Sequence, residues 1–247
     1  MRGILLRSIG ALAALLLLGA VSPASAYVIG ATSPGKWGSP TIGTGATVTW
    51  SLMDTGISLA AEEVGETSTA FSDFLPVGFE TQLDLAFDAW SSVADITFIE
   101  VTDWGEDFNA TQQSGDLRLG GQNIDGSNGV LAHGFFPPAN GDSAAGDIHF
   151  DISETWKIGF GGGGFDIFQV LAHEIGHAIG LSHTGVSNSL MNEFYSEAVH
   201  GLQADDIAGA QFLYGSAVSA VAVPVPAAAW LFGSALGLLG WMRRKTN

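Results

Sequence analysis

Two histidines four residues apart, followed by a glycine and a third histidine, constrain this chain more than any other feature. The stretch reads His173-Glu174-Ile175-Gly176-His177-Ala178-Ile179-Gly180-Leu181-Ser182-His183. Asp166 upstream is a good N-cap, and the residues that follow predict a helix through Ile179 that Gly180 ends. Residues four apart stand on one helix face, so His173 and His177 can reach one metal ion. Gly180 lets the backbone leave the helix with φ > 0 and turn His183 back to the same point. Three nitrogen ligands leave a fourth position open, which is the arrangement of a catalytic zinc. Glu174, beside the first ligand, is the candidate general base toward a zinc-activated water.

Composition narrows the alternatives. There is no cysteine, which excludes disulfides, thiolate zinc sites and a cysteine nucleophile. Acidic residues number 25 against 8 basic, for a net charge of -17. Arg2, Arg7, Arg243, Arg244 and Lys245 lie in the two end segments, so the middle keeps only Lys36, Arg118 and Lys157 beside every carboxylate. Such a surface repels nucleic acid and anionic lipid.

The ends read as addresses. Residues 1–26 have a positive start, an apolar run over Ile9–Val21 and the Ala24-Ser25-Ala26 cleavage pattern of a secretory signal peptide, so the mature chain is expected to start near Tyr27. After a small-residue linker at 216–223, the tail 224–247 has a stiff Pro224-Val225-Pro226 break, an uncharged apolar run over Ala227–Met242, and Arg243-Arg244-Lys245. As a helix the apolar run would rise about 24 Å, marginal against a bilayer core of about 30 Å. Basic residues after it predict a cytoplasmic C-terminus, and a plain membrane anchor is the alternative to a sorting signal.

Between these ends, one domain is expected over 27–215. Strands are predicted at Ala46–Leu52, Ile96–Val101 and Asp116–Leu119. Helices are predicted at Gly78–Val93, where Phe79, Leu83, Ala86, Phe87 and Trp90 share one face, and at Ala204–Tyr214. Residues 54–75 read as an acidic loop, and 120–154 as loop-rich. The mixture lacks regular βαβ alternation and indicates the α+β class.

Several stretches carry a family resemblance. HEIGHAIGLSH is the long metzincin motif, and Met191, eight residues after His183, sits where metzincins place the Met-turn. Leu202-Gln203-Ala204-Asp205-Asp206-Ile207, Leu213-Tyr214-Gly215, Gly129-Val130-Leu131-Ala132-His133 and Gly146-Asp147-Ile148-His149-Phe150-Asp151 resemble further signatures of the matrixins, and Trp90 sits in a matching first helix. The resemblance implies a zincin fold with a five-stranded twisted mixed sheet and three helices. It implies a secreted zinc metalloendopeptidase acting on protein or peptide, with the substrate antiparallel to an edge strand at Gly129–Ala132. Gly129, Leu131, Ala132 and Tyr195 would line the cleft, whereas Asn192-Glu193 departs from the usual Tyr-Pro there. The tail resembles a PEP-CTERM sorting signal of Gram-negative bacteria, with Val225 in place of the name-giving Glu. That implies an exosortase-type processing enzyme, a membrane contact only through the tail, and delivery to the cell surface or extracellular matrix.

The resemblance also implies calcium. Asp125, Asp151 and Glu154, with carbonyls of Gly126, Asn128 and Val130, match one site, and Asp116 and Asp147, with carbonyls of Ser143 and Ala145, match a second. Matrixins further hold a structural zinc through three His and one Asp. His133 and His149 fit two of these ligands, but Leu119-Gly120-Gly121-Gln122-Asn123-Ile124 holds neither His nor Asp. One tight zinc is therefore expected, with His133 and His149 as plain loop residues. The rival readings are an inactive metzincin with a structural or adhesive role in a matrix, and a metalloenzyme acting on a non-peptide amide or on polysaccharide. Serralysins are the other secreted metzincin class, but no glycine-rich calcium repeats follow the domain. The sequence has no cysteine for the prodomain switch common in matrixins.

Overall fold

The computed structural model describes residues 27–110, 113–138 and 143–218. The predicted signal peptide and sorting tail, apart from the first residues of the linker, lie outside them. Among the described residues no helix is long and apolar enough to cross a membrane.

In chain order the elements are β1 (Val28–Ile29), β2 (Ala46–Leu52), α1 (Phe71–Phe74), α2 (Phe79–Ser91), β3 (Ile96–Glu100), β4 (Leu117–Gln122), β5 (Ala132–Gly134), β6 (Ile148–Asp151), β7 (Trp156–Lys157), β8 (Phe165–Asp166), α3 (Ile167–Ala178), β9 (Leu181–Ser182) and α4 (Ala204–Tyr214). Five strands form one mixed sheet in the order β3-β2-β4-β6-β5. Neighbours pair in parallel except β5, which runs antiparallel to β6 at the edge. The expected five-stranded sheet and three long helices are present, together with the single turn α1. The two-residue pairings β1–β9 and β7–β8 tie loops down around this frame.

The helix α2 forms where the apolar spacing placed it. Phe79, Leu83, Ala86, Phe87 and Trp90 are all buried, while Glu80, Asp84 and Asp88 lie on the opposite, exposed face. Trp50 of β2 stacks on Phe87 with ring centroids 4.7 Å apart. Trp90 is fully buried against α3 and donates its indole N–H to the Ala172 carbonyl at 2.9 Å. Burial of a side chain this large supplies apolar area, and the hydrogen bond removes the cost of hiding its one polar atom. The helix α3 is apolar on almost every side, as a helix enclosed by protein should be. Asp166 caps it as predicted, accepting from the Gln169 N–H at 2.9 Å.

Three expectations need correction. The strand at Asp116–Leu119 begins one residue later and runs on through Gly120, Gly121 and Gln122. Every residue of β4 is buried, and a Cβ on Gly121 would sit 2.6 Å from the Ile152 side chain, so glycine is what both covered faces permit. The edge strand is Ala132–Gly134, not Gly129–Ala132. The N–H of Gly129 is taken by Glu154 and that of Val130 by Asp125, so these residues form a loop leading into the strand. Finally, His133 and His149 are not loop residues. They face one another as register partners in β5 and β6, and His149 is fully buried.

Candidate metal centre

The three motif histidines converge. His183 Nε2 lies 3.1 Å from His173 Nε2 and 3.1 Å from His177 Nε2. Their other nitrogens face the opposite way. His173 Nδ1 donates to the Leu190 carbonyl at 2.7 Å, and His177 Nδ1 donates to the Leu181 carbonyl at 2.7 Å. With the N–H fixed on Nδ1, each neutral ring presents a bare lone pair at Nε2. Burial pushes the pKa of His173 down to about 4. Burial, reinforced by His173, pushes that of His177 down to about 3. Neutral rings are the form that binds a metal, and lone pairs this close repel unless a cation lies between them. The donor set therefore fits zinc, for which N–metal distances of about 2.0–2.1 Å give tetrahedral N···N edges of about 3.3 Å.

Local sequence explains the convergence. Gly180 has φ +108°, and a Cβ there would collide with the Gly35 carbonyl. The chain can thus reverse direct from α3 into β9 and bring His183 over the helix. Gly176 is required for a different reason. A Cβ at this position would strike Met191 Sδ and lie 3.1 Å from the Trp90 ring. Met191 is 2 % exposed and packs in the turn of α3 between the two helical histidines.

Asp206 of α4 fixes the Met191 segment, a role that no spacing in the chain reveals. Its carboxyl accepts from Ser189 Oγ, from the Leu190 N–H at 2.9 Å, from the Met191 N–H at 3.1 Å and from the Gln203 N–H at 2.7 Å. Leu190 in turn receives the His173 N–H. A path of hydrogen bonds thus runs from α4 through residues 189–191 to the first histidine.

Glu174 is buried in the same cleft, its Oε2 has no hydrogen-bond partner, and burial raises its pKa to about 8. The cleft has a volume of about 830 Å³. Gly129, Leu131, Ala132 and Tyr195 all line it. Its apolar lining includes Phe165, Val170, Leu190, Tyr195 and Val199. Tyr195 is held there by its hydroxyl, which accepts from the Asp166 N–H at 3.1 Å, and by edge-on contact with Phe165. Asn192 and Glu193 stand at the same cleft wall.

The acidic loop residues divide into two groups. Asp125, Asp151 and Glu154 gather on one loop. Asp151 accepts from the N–H groups of Asp125 and Gly126 at 3.1 Å each, Glu154 from those of Asn128 and Gly129, and Asp125 from that of Val130. Asp116 and Asp147 have separate partners. Asp116 accepts from the Thr49 N–H and hydroxyl, whereas Asp147 Oδ1 accepts from the Arg118 N–H and its Oδ2 is buried without a partner. Burial pushes the Asp147 carboxyl well above the usual carboxylate range. Ala145 is buried and Ser143 half-buried in the turn just before Asp147.

A second cluster of imidazole and carboxylate lies away from the motif, at Glu62, His133 and His149. Glu62 belongs to the segment read from sequence only as an acidic loop. Burial opposes its ionisation, but hydrogen bonds from His133 and His149 outweigh this and hold its pKa at about 2.

Replacing Asp206 tests the support of the centre. Asp206→Ala leaves the N–H groups of Leu190, Met191 and Gln203 without their acceptor. Hydrogen bonds to a carboxylate are worth about 1.5–3 kcal/mol, so urea denaturation should show a loss at least that large. Zinc should also leave the variant faster in a chelator-competition assay. Unchanged stability and unchanged zinc release would show that residues 189–191 hold His173 without Asp206.

The sequence model of the matrixin family matches residues 46–215. Stromelysin-3 of Xenopus laevis is 41 % identical over 146 residues, which are 57 % of this chain and 29 % of that protein. Karilysin of Tannerella forsythia is 38 % identical over 137 residues, 55 % of this chain and 28 % of that protein. Human matrix metalloproteinase-20 is 37 % identical over 142 residues, 56 % of this chain and 28 % of that protein. The chain thus spans less than a third of the length of these curated relatives. The family match covers well over half of the chain, and it encloses the sheet, the three long helices and the three converging histidines: this protein belongs to the matrixin family.

Proposed function

We propose that the protein is a secreted zinc-dependent endopeptidase. The observation that carries this reading is the pairing of the converged Nε2 atoms with a buried Glu174 carboxyl, its Oε2 without a hydrogen-bond partner, in one open cleft. Zinc held by His173, His177 and His183 would supply Lewis acidity toward the scissile carbonyl and make a water nucleophilic near neutral pH. Glu174 takes the proton of the attacking water and passes it to the departing amine. Its apolar surroundings favour the protonated form, which suits the second half of that task. Among the described residues strand β5 is an edge of the sheet, and its residues line the cleft, so it can accept an extended peptide as one more antiparallel strand. The apolar lining of the cleft, Phe165, Val170, Leu190, Tyr195 and Val199, then receives an apolar side chain of the substrate.

Calcium is assigned to the loops by the same reading. Asp125, Asp151 and Glu154, with carbonyls of Gly126, Asn128 and Val130, form the first set. In the described geometry their oxygens draw in five backbone N–H groups of one short loop, a concentration of negative charge that a hard cation would share. For the second set, Asp116, Asp147 and the carbonyls of Ser143 and Ala145, the supporting observation is the buried, partnerless Asp147 Oδ2. Secretion rests on the sequence of residues 1–26, and sorting by an exosortase-type enzyme on that of 224–247.

Three outcomes follow from this reading. Glu174→Gln should keep zinc and lose turnover of a gelatin or casein substrate by about 10²–10⁴-fold or more, the range for general acid–base groups. Near-normal peptidase activity at full zinc occupancy would sink the mechanism, and His177→Ala should instead lose the metal. Calcium at a hundredfold excess over its Kd should stabilise the fold by about 2.7 kcal/mol. A melting temperature that does not differ between millimolar calcium and a calcium-selective chelator, with zinc retained, removes the calcium assignment. Mass spectrometry of the surface form in a host with the sorting machinery should find the tail cut near Pro224–Pro226, whereas an intact 227–247 would make it a plain anchor.

A further inference from the structure

We propose that Glu197 and Lys157 are positioning residues for side-chain selection, which together clamp the glycine-rich turn at 159–164 onto the segment 195–200 that carries the cleft-lining Tyr195 and Val199. The proposal rests on the peptidase reading and adds to it a device that sets how far one wall of the cleft can move.

The turn joins β7 to β8 and has almost nothing of its own to hold it. Five of its six residues are glycine. Gly161 has φ +86°, and a Cβ on it would meet nothing within 4 Å. Glycine loses more backbone freedom on ordering than any other residue, so a turn of this composition keeps one position only where its main chain is gripped from outside.

The grip comes from the cleft wall. Glu197 Oε2 accepts from the Gly161 N–H at 2.8 Å, and its Oε1 accepts from the Lys157 ammonium. Lys157 Nζ also donates to the Gly161 carbonyl at 2.9 Å. Both main-chain groups of Gly161 are therefore taken by the two partners of one ion pair. Phe160, whose side chain is the only one in the turn, stacks on His200 with ring centroids 4.2 Å apart and planes at 10°. The Lys157 ammonium and the Gly161 N–H hold the Glu197 carboxyl below the usual carboxylate range, so the pair is ionised at neutral pH.

The same carboxylate reaches the residue that lines the cleft. The Tyr195 hydroxyl accepts from the Asp166 N–H at 3.1 Å and donates to Glu197 Oε1 at 3.4 Å. Ser196 is tied to α3, its carbonyl accepting from Gln169 Nε2 at 2.8 Å, and Glu197, the next residue, is tied to the turn. An ion pair open to solvent contributes little to global stability, so the effect of this one is local. It fixes where Tyr195 and Val199 stand against a substrate side chain. Neither Glu197 nor Lys157 lines the cleft, so both act through the wall alone.

The test compares the full zinc-loaded chain with Glu197→Gln, Lys157→Met and the double variant. The substrates are peptides that differ only in carrying Leu or Trp at each position flanking the cut. At one of these positions the kcat/KM ratio of Trp over Leu should rise about tenfold in either single variant, within the range of about 10–200-fold over which an apolar pocket discriminates. The change should fall in KM and not in kcat, and the double variant should go no further than the single ones, because partners in one clamp are not additive. Lys157 lies outside the wall segment, so its variant tests the clamp even where Glu197→Gln disturbs residues 195–200 directly. An unchanged ratio in Lys157→Met, a shift toward Leu, or single effects that add in the double variant overturn the clamp. A fall in kcat that is equal for both peptides also overturns it, since the effect then reaches the zinc centre and not the wall. A parent that cleaves none of the peptides overturns the peptidase reading, and the proposal with it.

Discussion

The convergence of three imidazole nitrogens, with His183 Nε2 3.1 Å from those of His173 and His177, is the constraint around which the rest of this molecule is arranged. Neutral imidazoles do not gather this way by apolar packing. The arrangement lasts because each helical ring is anchored at its other nitrogen by a main-chain carbonyl, from Leu190 for His173 and from Leu181 for His177. Those carbonyls come from segments downstream of α3, so the helix cannot build the centre alone. It needs the reversal at Gly180 and the 189–191 turn in place, and the latter depends on Asp206 of α4.

The core serves that arrangement. Trp90 fills the space between α2 and α3 and leaves room for nothing larger than glycine at position 176, where Met191 comes in from below. Interiors are packed so densely that one added methyl must displace a neighbour. Here the neighbour carries the turn that orients His173. Packing and coordination geometry are thereby coupled through one pair of residues, Gly176 and Met191.

The acidic excess has a structural explanation in part. Carboxylates at Asp125, Asp151 and Glu154 organise one loop by accepting main-chain N–H groups, and Asp103 grips the buried guanidinium of Arg118 through two oxygens at 2.8 Å. Glu62 binds two histidines.

Much of this was determined by the sequence. Local periodicity placed α2, the N-cap Asp166 and the stop Gly180 bounded α3, and the spacing of His173, His177 and His183 identified the centre, because each of these depends on residues within a few turns of one another. The family resemblance supplied the five-stranded sheet, which no local pattern reveals. Tertiary structure alone decided the rest. Glu62 is 71 residues from His133, Asp206 is 33 from His173, and neither distance leaves a trace in spacing or composition. The length of β4 was also decided there, since Gly120 and Gly121 read as a loop until both faces of the sheet are seen to be covered. Periodicity records what a segment does with its own turn of helix or strand, whereas a carboxylate that crosses the fold is positioned only by the packing of everything between.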